Sequence, residues 1–175
     1  TNGPAIRIAS IPIVYHGNEN MHRHIIESGT LTHNSEESLL SSILVGNVYS
    51  EIMSGMLPSK IGSNLLTDLI RLREQYFPQL VNSKVVSNLK LAQSLSESLE
   101  GNELCDALER NLGLSGHPHT SIVSAVILGL NYTNPRECII DIANRLFEGG
   151  DLDSTAAIAG GICCGLNSDS TITDW

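Results

Sequence analysis

The segment EGGDLDSTAAIAGG, at positions 148–161, places oxygen-bearing side chains close together near the end of the chain. Asp151, Asp153 and Ser154 follow a pair of glycines, which allow the backbone to bend sharply. The residues after them are almost all small, so a helix formed there could pack very near its neighbours and hold its N-terminal end deep in the protein. Carboxylate and hydroxyl oxygens are the hard ligands preferred by Mg²⁺, Mn²⁺ and Ca²⁺. We interpret the segment as half of a divalent-metal site.

An ordinary helix start is the competing interpretation of the same residues. Aspartate and serine are common N-cap residues, and acidic side chains favour the positive end of the helix dipole. The double glycine and the run of small residues favour the metal site. An EF-hand is excluded because, with Asp151 as the first position, the sixth is Ala156 rather than glycine and the twelfth is Ile162 rather than glutamate.

The histidines offer further chemistry. His33 follows a hydroxyl residue and precedes a predicted helix, where it could either donate to a phosphate held by the helix amides or satisfy a loop carbonyl. His22 and His24 form a pair with the two-residue spacing of transition-metal ligands, but no cysteine or third ligand is near. His117 and His119 share that spacing in a glycine-flanked loop, which we interpret as a pocket wall.

The overall composition describes a globular, acidic chain. Of its 175 residues 41% are hydrophobic, 17% are charged and only 4% are aromatic, so aliphatic and small side chains must fill the core. The formal net charge of −9 argues against a nucleic-acid backbone or an anionic membrane as the main partner, and no apolar run has the length of a membrane span. The four cysteines form no C-x-x-C pair and are predicted to be small core residues in a reducing compartment, which we expect to be cytoplasmic.

Helices must position these residues, because helical periodicity runs through the whole chain. No stretch alternates with the two-residue period of a strand. Asn34 and Glu37 have the spacing of a capping box at the start of one helix, whereas Pro12 makes the apolar segment 5–14 ambiguous. The sequence therefore predicts a single all-α domain over residues 1–175. Its helices are expected over residues 19–27, 35–54, 58–77, 83–100, 102–112, 120–130 and 135–148, followed by the small-residue helix.

The last predicted helix carries Ala157, Gly161 and Gly165 four residues apart, on one face. This spacing predicts close packing against a neighbouring helix. Burial of that face would place Asp151 and Asp153 where bare carboxylates are costly, and a divalent cation would remove the cost.

Three motifs, in this order and at these separations, resemble the ADP-ribosylglycohydrolase family: NGPAIR at residues 2–7, LTH at residues 31–33 and GGDLDSTAAIAG at residues 149–160. The family pattern is N-G-x-x-M-R, T-H and G-G-D-T-D-T followed by a small-residue helix. Leucine and serine stand at the two threonine positions of the third motif, and Ile6 stands at the methionine position of the first. The resemblance covers nearly the whole chain, down to Trp175.

The resemblance implies an orthogonal all-α bundle that holds two Mg²⁺ ions, with Mn²⁺ as an alternative. It also implies hydrolysis of the glycosidic bond between ADP-ribose and a modified protein side chain or related acceptor, with ADP-ribose or an ADP-ribosylated protein as partner. Carried over by motif, the metal ligands are Asp151, Asp153 and Ser154, and the residues bordering ADP-ribose are Asn2, Gly3 and His33.

The family also carries an earlier half, with a G-D-x-x-G start and a T-D-D-T metal motif, and nothing in this chain resembles either. The resemblance therefore implies the C-terminal part of a longer domain, completed by that N-terminal half or by a partner chain. It leaves the catalytic residues unassigned. A catalytically inactive binding or structural relative is the alternative, and a two-histidine transition-metal protein is a more distant one.

Overall fold

The computed structural model describes residues 1–144 and 150–167, and the regular elements in these residues are ten α-helices. The predicted all-α class is confirmed, while Glu148, Gly149 and Trp175 lie outside the described residues. In chain order the helices are α1 Gly3–Arg7, α2 Ser10–Tyr15, α3 Met21–Thr30, α4 Glu36–Met53, α5 Pro58–Tyr76, α6 Lys84–Ser96, α7 Gly101–Leu112, α8 Pro118–Asn131, α9 Pro135–Ala143 and α10 Leu152–Leu166.

Helices α4 and α8 form the centre of the bundle. Both are rich in aliphatic and small residues around the whole helix, and almost every residue in the first two thirds of α4 and along α8 is buried. A helix that is apolar on all sides requires neighbours on all sides. Helices α6, α7 and α10 pack on α8, while α1, α2, α3 and α5 pack on α4. Within the described residues, no helix is long and apolar enough to cross a membrane.

Helix α10 approaches α8 so closely that no side chain fits between the two backbones at one point. A Cβ atom on Gly129 of α8 would lie 2.8 Å from the carbonyl oxygen of Ala159 and 2.7 Å from Cβ of Ile162. The predicted close packing of the small-residue helix is therefore present at this contact. Small residues permit the approach, and the aliphatic side chains of α10 provide the apolar area that drives it.

The buried face of α10 differs from the predicted one. Ala157 and Gly165 are exposed, although Gly161 and Gly165 lie beside Tyr49 and Ile52 of α4. The reason is that Ile158, Ile162 and their neighbours have more area to bury than alanine or glycine. With this orientation of α10, the side chain of Asp153 is exposed to solvent instead of being buried as predicted.

Glu37 joins two helix starts. The N-cap of α4 is Ser35 rather than the predicted Asn34, so the capping-box prediction is wrong. The Glu37 carboxylate instead accepts hydrogen bonds from Ser83 Oγ at 2.9 Å, from the Lys84 amide at 2.6 Å and from the Val85 amide at 3.1 Å. The Glu37 carboxylate thus satisfies free amides at the start of α6 and opposes the positive end of the α6 dipole.

Candidate functional site

Asn2 lies at the meeting point of the first, eighth and tenth helices. Its side chain is buried, with 4% of the residue exposed. The Nδ2 group donates to Ser121 Oγ at 3.0 Å, in the first turn of α8, and to Asp151 Oδ2, at the start of α10. Two predicted site residues, Asn2 and Asp151, are thus in direct contact although 149 positions separate them.

Asp151 is the N-cap residue of α10, so the ordinary helix start accounts for its position in the sequence. Its backbone carbonyl accepts from the Thr155 amide at 3.2 Å and from Thr155 Oγ1 at 2.8 Å. Its backbone amide donates to the Leu114 carbonyl at 2.6 Å. A helix start alone does not explain the position of the carboxylate, which accepts a hydrogen bond from Asn2 at the start of α1.

The carboxylate of Asp151 is held in its ionised form. Partial burial alone would raise its pKa, but hydrogen bonds from Ser154 and Asn2 outweigh burial, and the pKa is lowered. A carboxylate must be deprotonated to bind a metal, and a lowered pKa meets this requirement.

The donor set fits part of a magnesium site. Asp153 is exposed, Ser154 is half-buried, and both interact with the Asp151 carboxyl. The three side chains therefore come together and offer hard oxygen ligands, of the kind Mg²⁺ takes. They are too few to fill an octahedral shell, and the described part of the chain has no group of three histidine, cysteine or acidic residues that could hold a metal.

The loop before α8 lies against Asp151. Ser115 forms an isolated β-bridge with Gly150, and a Cβ atom on Gly116 would lie 3.5 Å from Asp151 Oδ2. His117 is exposed at the end of this loop, where its Nδ1 lies 3.1 Å from Ser115 Oγ. The loop that we interpreted as a pocket wall thus stands beside the acidic cluster.

Gly3 and His33, both predicted to border the ligand, lie against each other beside Asn2. A Cβ atom on Gly3 would lie 3.2 Å from His33 Cε1, so the absence of a side chain lets the ring sit against α1. Both ring nitrogens have hydroxyl neighbours: Nδ1 lies 2.8 Å from Thr32 Oγ1, and Nε2 contacts Thr1 Oγ1. Desolvation and the nearby positive charge of Arg7 lower the pKa of His33.

Several helix N-termini meet at this end of the bundle. Asn2 ties the starts of α1, α8 and α10 together, Glu37 of α4 caps α6, and Asn88 of α6 donates to the His119 carbonyl in the first turn of α8 at 2.6 Å. Each N-terminus carries a partial positive charge. The carboxylates of Glu37 and Asp151 already lie at the starts of α6 and α10, so an anion here would be favoured chiefly by the start of α8.

The first histidine pair does not converge on a common ligand. His22 Nε2 lies 3.4 Å from Asn47 Oδ1, whereas His24 pairs with Glu27 at 3.3 Å and stacks on Tyr15. Each ring is engaged by a different neighbour. The transition-metal hypothesis receives no support from this arrangement.

Sequence reasoning missed Ser121, which is fully buried and carries the contact between Asn2 and α8. It also donates to the His117 carbonyl at 3.1 Å. A serine in a strongly apolar helix is the only signal in the sequence that could have indicated it.

Comparison with known proteins gives one family. The sequence model of the family described as ADP-ribosylglycohydrolase matches residues 1–166. A search of curated proteins gives no significant match.

Proposed function

Because the chain belongs to the ADP-ribosylglycohydrolase family, we propose that it contributes to the Mg²⁺-dependent hydrolysis of the glycosidic bond between ADP-ribose and a modified protein side chain. The family membership supports hydrolysis of ADP-ribose linkages. The magnesium dependence, the protein acceptor and the placement of the chain as the C-terminal part of a longer domain belong to the proposal.

The contact between Asn2 and Asp151 is the observation that carries the proposal. It joins the residues assigned to ADP-ribose with those assigned to the metal in one place. An ordinary helix start would not require a buried amide from the other end of the chain. A site that must hold both a sugar and a cation requires this proximity.

Each group has a distinct role in this proposal. Asp151, Asp153 and Ser154 would hold Mg²⁺, which when bound orients ribose hydroxyls and activates water. Asn2 fixes one oxygen of the Asp151 carboxylate, so the remaining lone pairs keep a defined direction. The start of α8 would attract the diphosphate. The acid that assists bond cleavage stays unassigned.

A catalytically inactive ADP-ribose-binding relative is the second candidate. The small number of potential metal ligands among residues 1–144 and 150–167 favours it, because a two-ion centre requires more carboxylates than this cluster offers. Both candidates share the binding site and differ in the chemical step.

Calorimetric titration of the chain with ADP-ribose, with and without Mg²⁺, tests the binding site. We expect Mg²⁺ to strengthen binding, and D151N or D153N to weaken Mg²⁺-dependent binding about 10-fold or more, as loss of a ligand or its support does. E103Q, which changes an exposed carboxylate on α7, serves as control and should bind like the parent. An affinity for ADP-ribose that changes neither with Mg²⁺ nor with the D153N substitution would contradict the metal assignment.

Release of ADP-ribose from an ADP-ribosylated protein separates the two candidates. Release that depends on Mg²⁺ and is lost in D151N supports the enzyme. Tight binding without release would show that this chain alone does not carry out the chemical step, and release that appears when the N-terminal half is added would still support the enzyme.

A further inference from the structure

An open cavity lies between α5 and α6, with the end of the loop that joins the two helices along one edge. Its volume of about 480 Å³ falls within the range of roughly 300–1,000 Å³ that is typical of small-molecule sites. Most of its accessible wall is apolar, and the aliphatic side chains there are those of Leu66, Ile70, Val81 and Val86. None of the lining residues belongs to the candidate functional site.

Arg73 of α5 lines this cavity with a guanidinium group that keeps one unsatisfied donor. Only 16% of its side chain is exposed. Nη1 donates to the Leu80 and Val81 carbonyls, each at 3.1 Å, and Nη2 donates to Glu74 Oε1 at 3.0 Å. Nε is buried and has no hydrogen-bond partner among the described residues. Anchoring of the loop explains the role of Nη1, but a buried N–H group without an acceptor is costly unless a ligand supplies one.

The charge in the cavity wall is positive, although the chain as a whole has a formal net charge of −9. Lys90 of α6 is the second cation, and no acidic side chain is among the described residues that line the cavity. Glu74 offsets only part of the Arg73 charge, because its side chain is 65% exposed and exposed ion pairs are weak. The cavity therefore suits an anion that also carries apolar surface.

The surroundings favour a carboxylate over a phosphate. The Lys84 and Val85 amides at the start of α6, which would otherwise attract a phosphate, already donate to the Glu37 carboxylate at 2.6 Å and 3.1 Å. A carboxylate carries a single charge and needs fewer donors. The planar guanidinium of Arg73 and the ammonium group of Lys90 are donors of the kind that a carboxylate accepts from.

We propose that this cavity binds a small organic carboxylate with an aliphatic body. The carboxylate accepts from Arg73 Nε and pairs with Lys90, while the aliphatic body packs on Ile70 and Val86. Binding here is separate from the proposed hydrolysis and requires neither ADP-ribose nor Mg²⁺, because the two sites share no lining residue.

Octanoate is the probe, and its binding is measured by calorimetric titration and by NMR of the Arg73 Nε–H group. We expect saturable binding, with an Nε–H signal that moves as the carboxylate accepts its proton. Octanamide has the same aliphatic body without the charge and should bind about tenfold more weakly. Equal affinity for octanoate and octanamide, or an Nε–H signal that octanoate does not move, would overturn the proposal.

Substitutions test whether octanoate occupies this cavity. K90Q should weaken octanoate binding about fivefold, the value of one exposed charge pair, whereas K90R keeps the charge and should bind like the parent. K60Q removes an exposed cation of α5 outside the cavity and is the matched control. An octanoate affinity that K90Q leaves unchanged, or that K60Q lowers equally, would refute the site.

R73K tests the unsatisfied donor, because it keeps the positive charge and removes the guanidinium group. It should weaken octanoate binding about tenfold. Since Arg73 also anchors the loop, urea unfolding of R73K is measured beside the titration. If R73K does not fold, the comparison of K90Q with K60Q decides the proposal. A folded R73K that binds octanoate like the parent would contradict the role of Nε.

Discussion

Glu51 of α4 carries a carboxylate oxygen, Oε2, that is buried and has no hydrogen-bond partner among the described residues. Its other oxygen accepts from Asn47 Nδ2 at 3.2 Å. Burial and the negative charge of Asp68 raise the pKa of Glu51 to about 7. Protonation relieves both effects, since it removes the charge and supplies a donor.

We expect the stability of the protein to fall as the pH rises toward 8 because of this residue. A folded-state pKa above the unfolded value gives stability that is fully present below about 4.5 and lost as the pH passes about 7. Discounted for the partial exposure of Glu51, the loss should be about 1 kcal/mol in the free energy of unfolding. Urea unfolding at several pH values measures it. E51Q should remove this component and E103Q should retain it; an E51Q profile that still matches the parent would contradict the assignment.

At the scale of single residues, the sequence indicated which side chains could bind a cation and not how they are fixed. The oxygens of Asp151, Asp153 and Ser154 could be named from residue type and spacing. The amide that orients Asp151 belongs to Asn2, and no local pattern connects the two. Their proximity was implied only by the family resemblance.

At the scale of the elements, the contact between α8 and α10 depends on the missing side chain of Gly129. A methyl group there would clash with the Ala159 carbonyl oxygen and with Ile162, both in α10. G129A should therefore push the helices apart and lower the free energy of unfolding by about 1–3 kcal/mol. G62A, in α5 with open space around it, is the matched control and should stabilise by about 0.5–1 kcal/mol. Denaturant unfolding compares the two, and a stable G129A would show that the helices are not in tight contact.

The helices themselves were largely predictable, because apolar spacing and proline or glycine punctuation are local signals. The residues at which the helices end, and the sides that they bury, were harder to predict. Segment 5–14, ambiguous in the sequence, forms the end of α1 and most of α2. The capping carboxylate of Glu37 serves α6, and the buried side of α10 follows its isoleucines, because both choices depend on partners that are distant in sequence.

At the scale of the whole molecule, the thiols report on the integrity of the core. Cys105, Cys138 and Cys163 are buried, and Cys164 is partly exposed. Burial raises the pKa of Cys163 to about 11 and that of Cys138 further, so little reactive thiolate exists at neutral pH. The placement of Cys105, Cys138 and Cys163 in the core agrees with the prediction from the sequence, whereas Cys164 is only partly buried.

We expect a thiol reagent to label the folded chain slowly and at Cys164 first, and to label all four cysteines after unfolding. Mass spectrometry of the modified chain at intervals gives the order. C164S should leave almost no labelling in the folded state. Fast modification of Cys138 or Cys163 without denaturant would show that the contact between α9 and α10 opens readily.

The hydrogen bond between Asn2 and Asp151 can form only after both residues have been synthesised. A ribosome makes Asn2 well before Asp151, which lies 149 positions later. During that interval the amide of Asn2 has no carboxylate to meet, although Ser121 becomes available to it earlier. The acidic cluster can therefore acquire its orientation only after Asp151 has been synthesised, and a nascent chain stopped before α10 would lack the place where an ion and a sugar could meet.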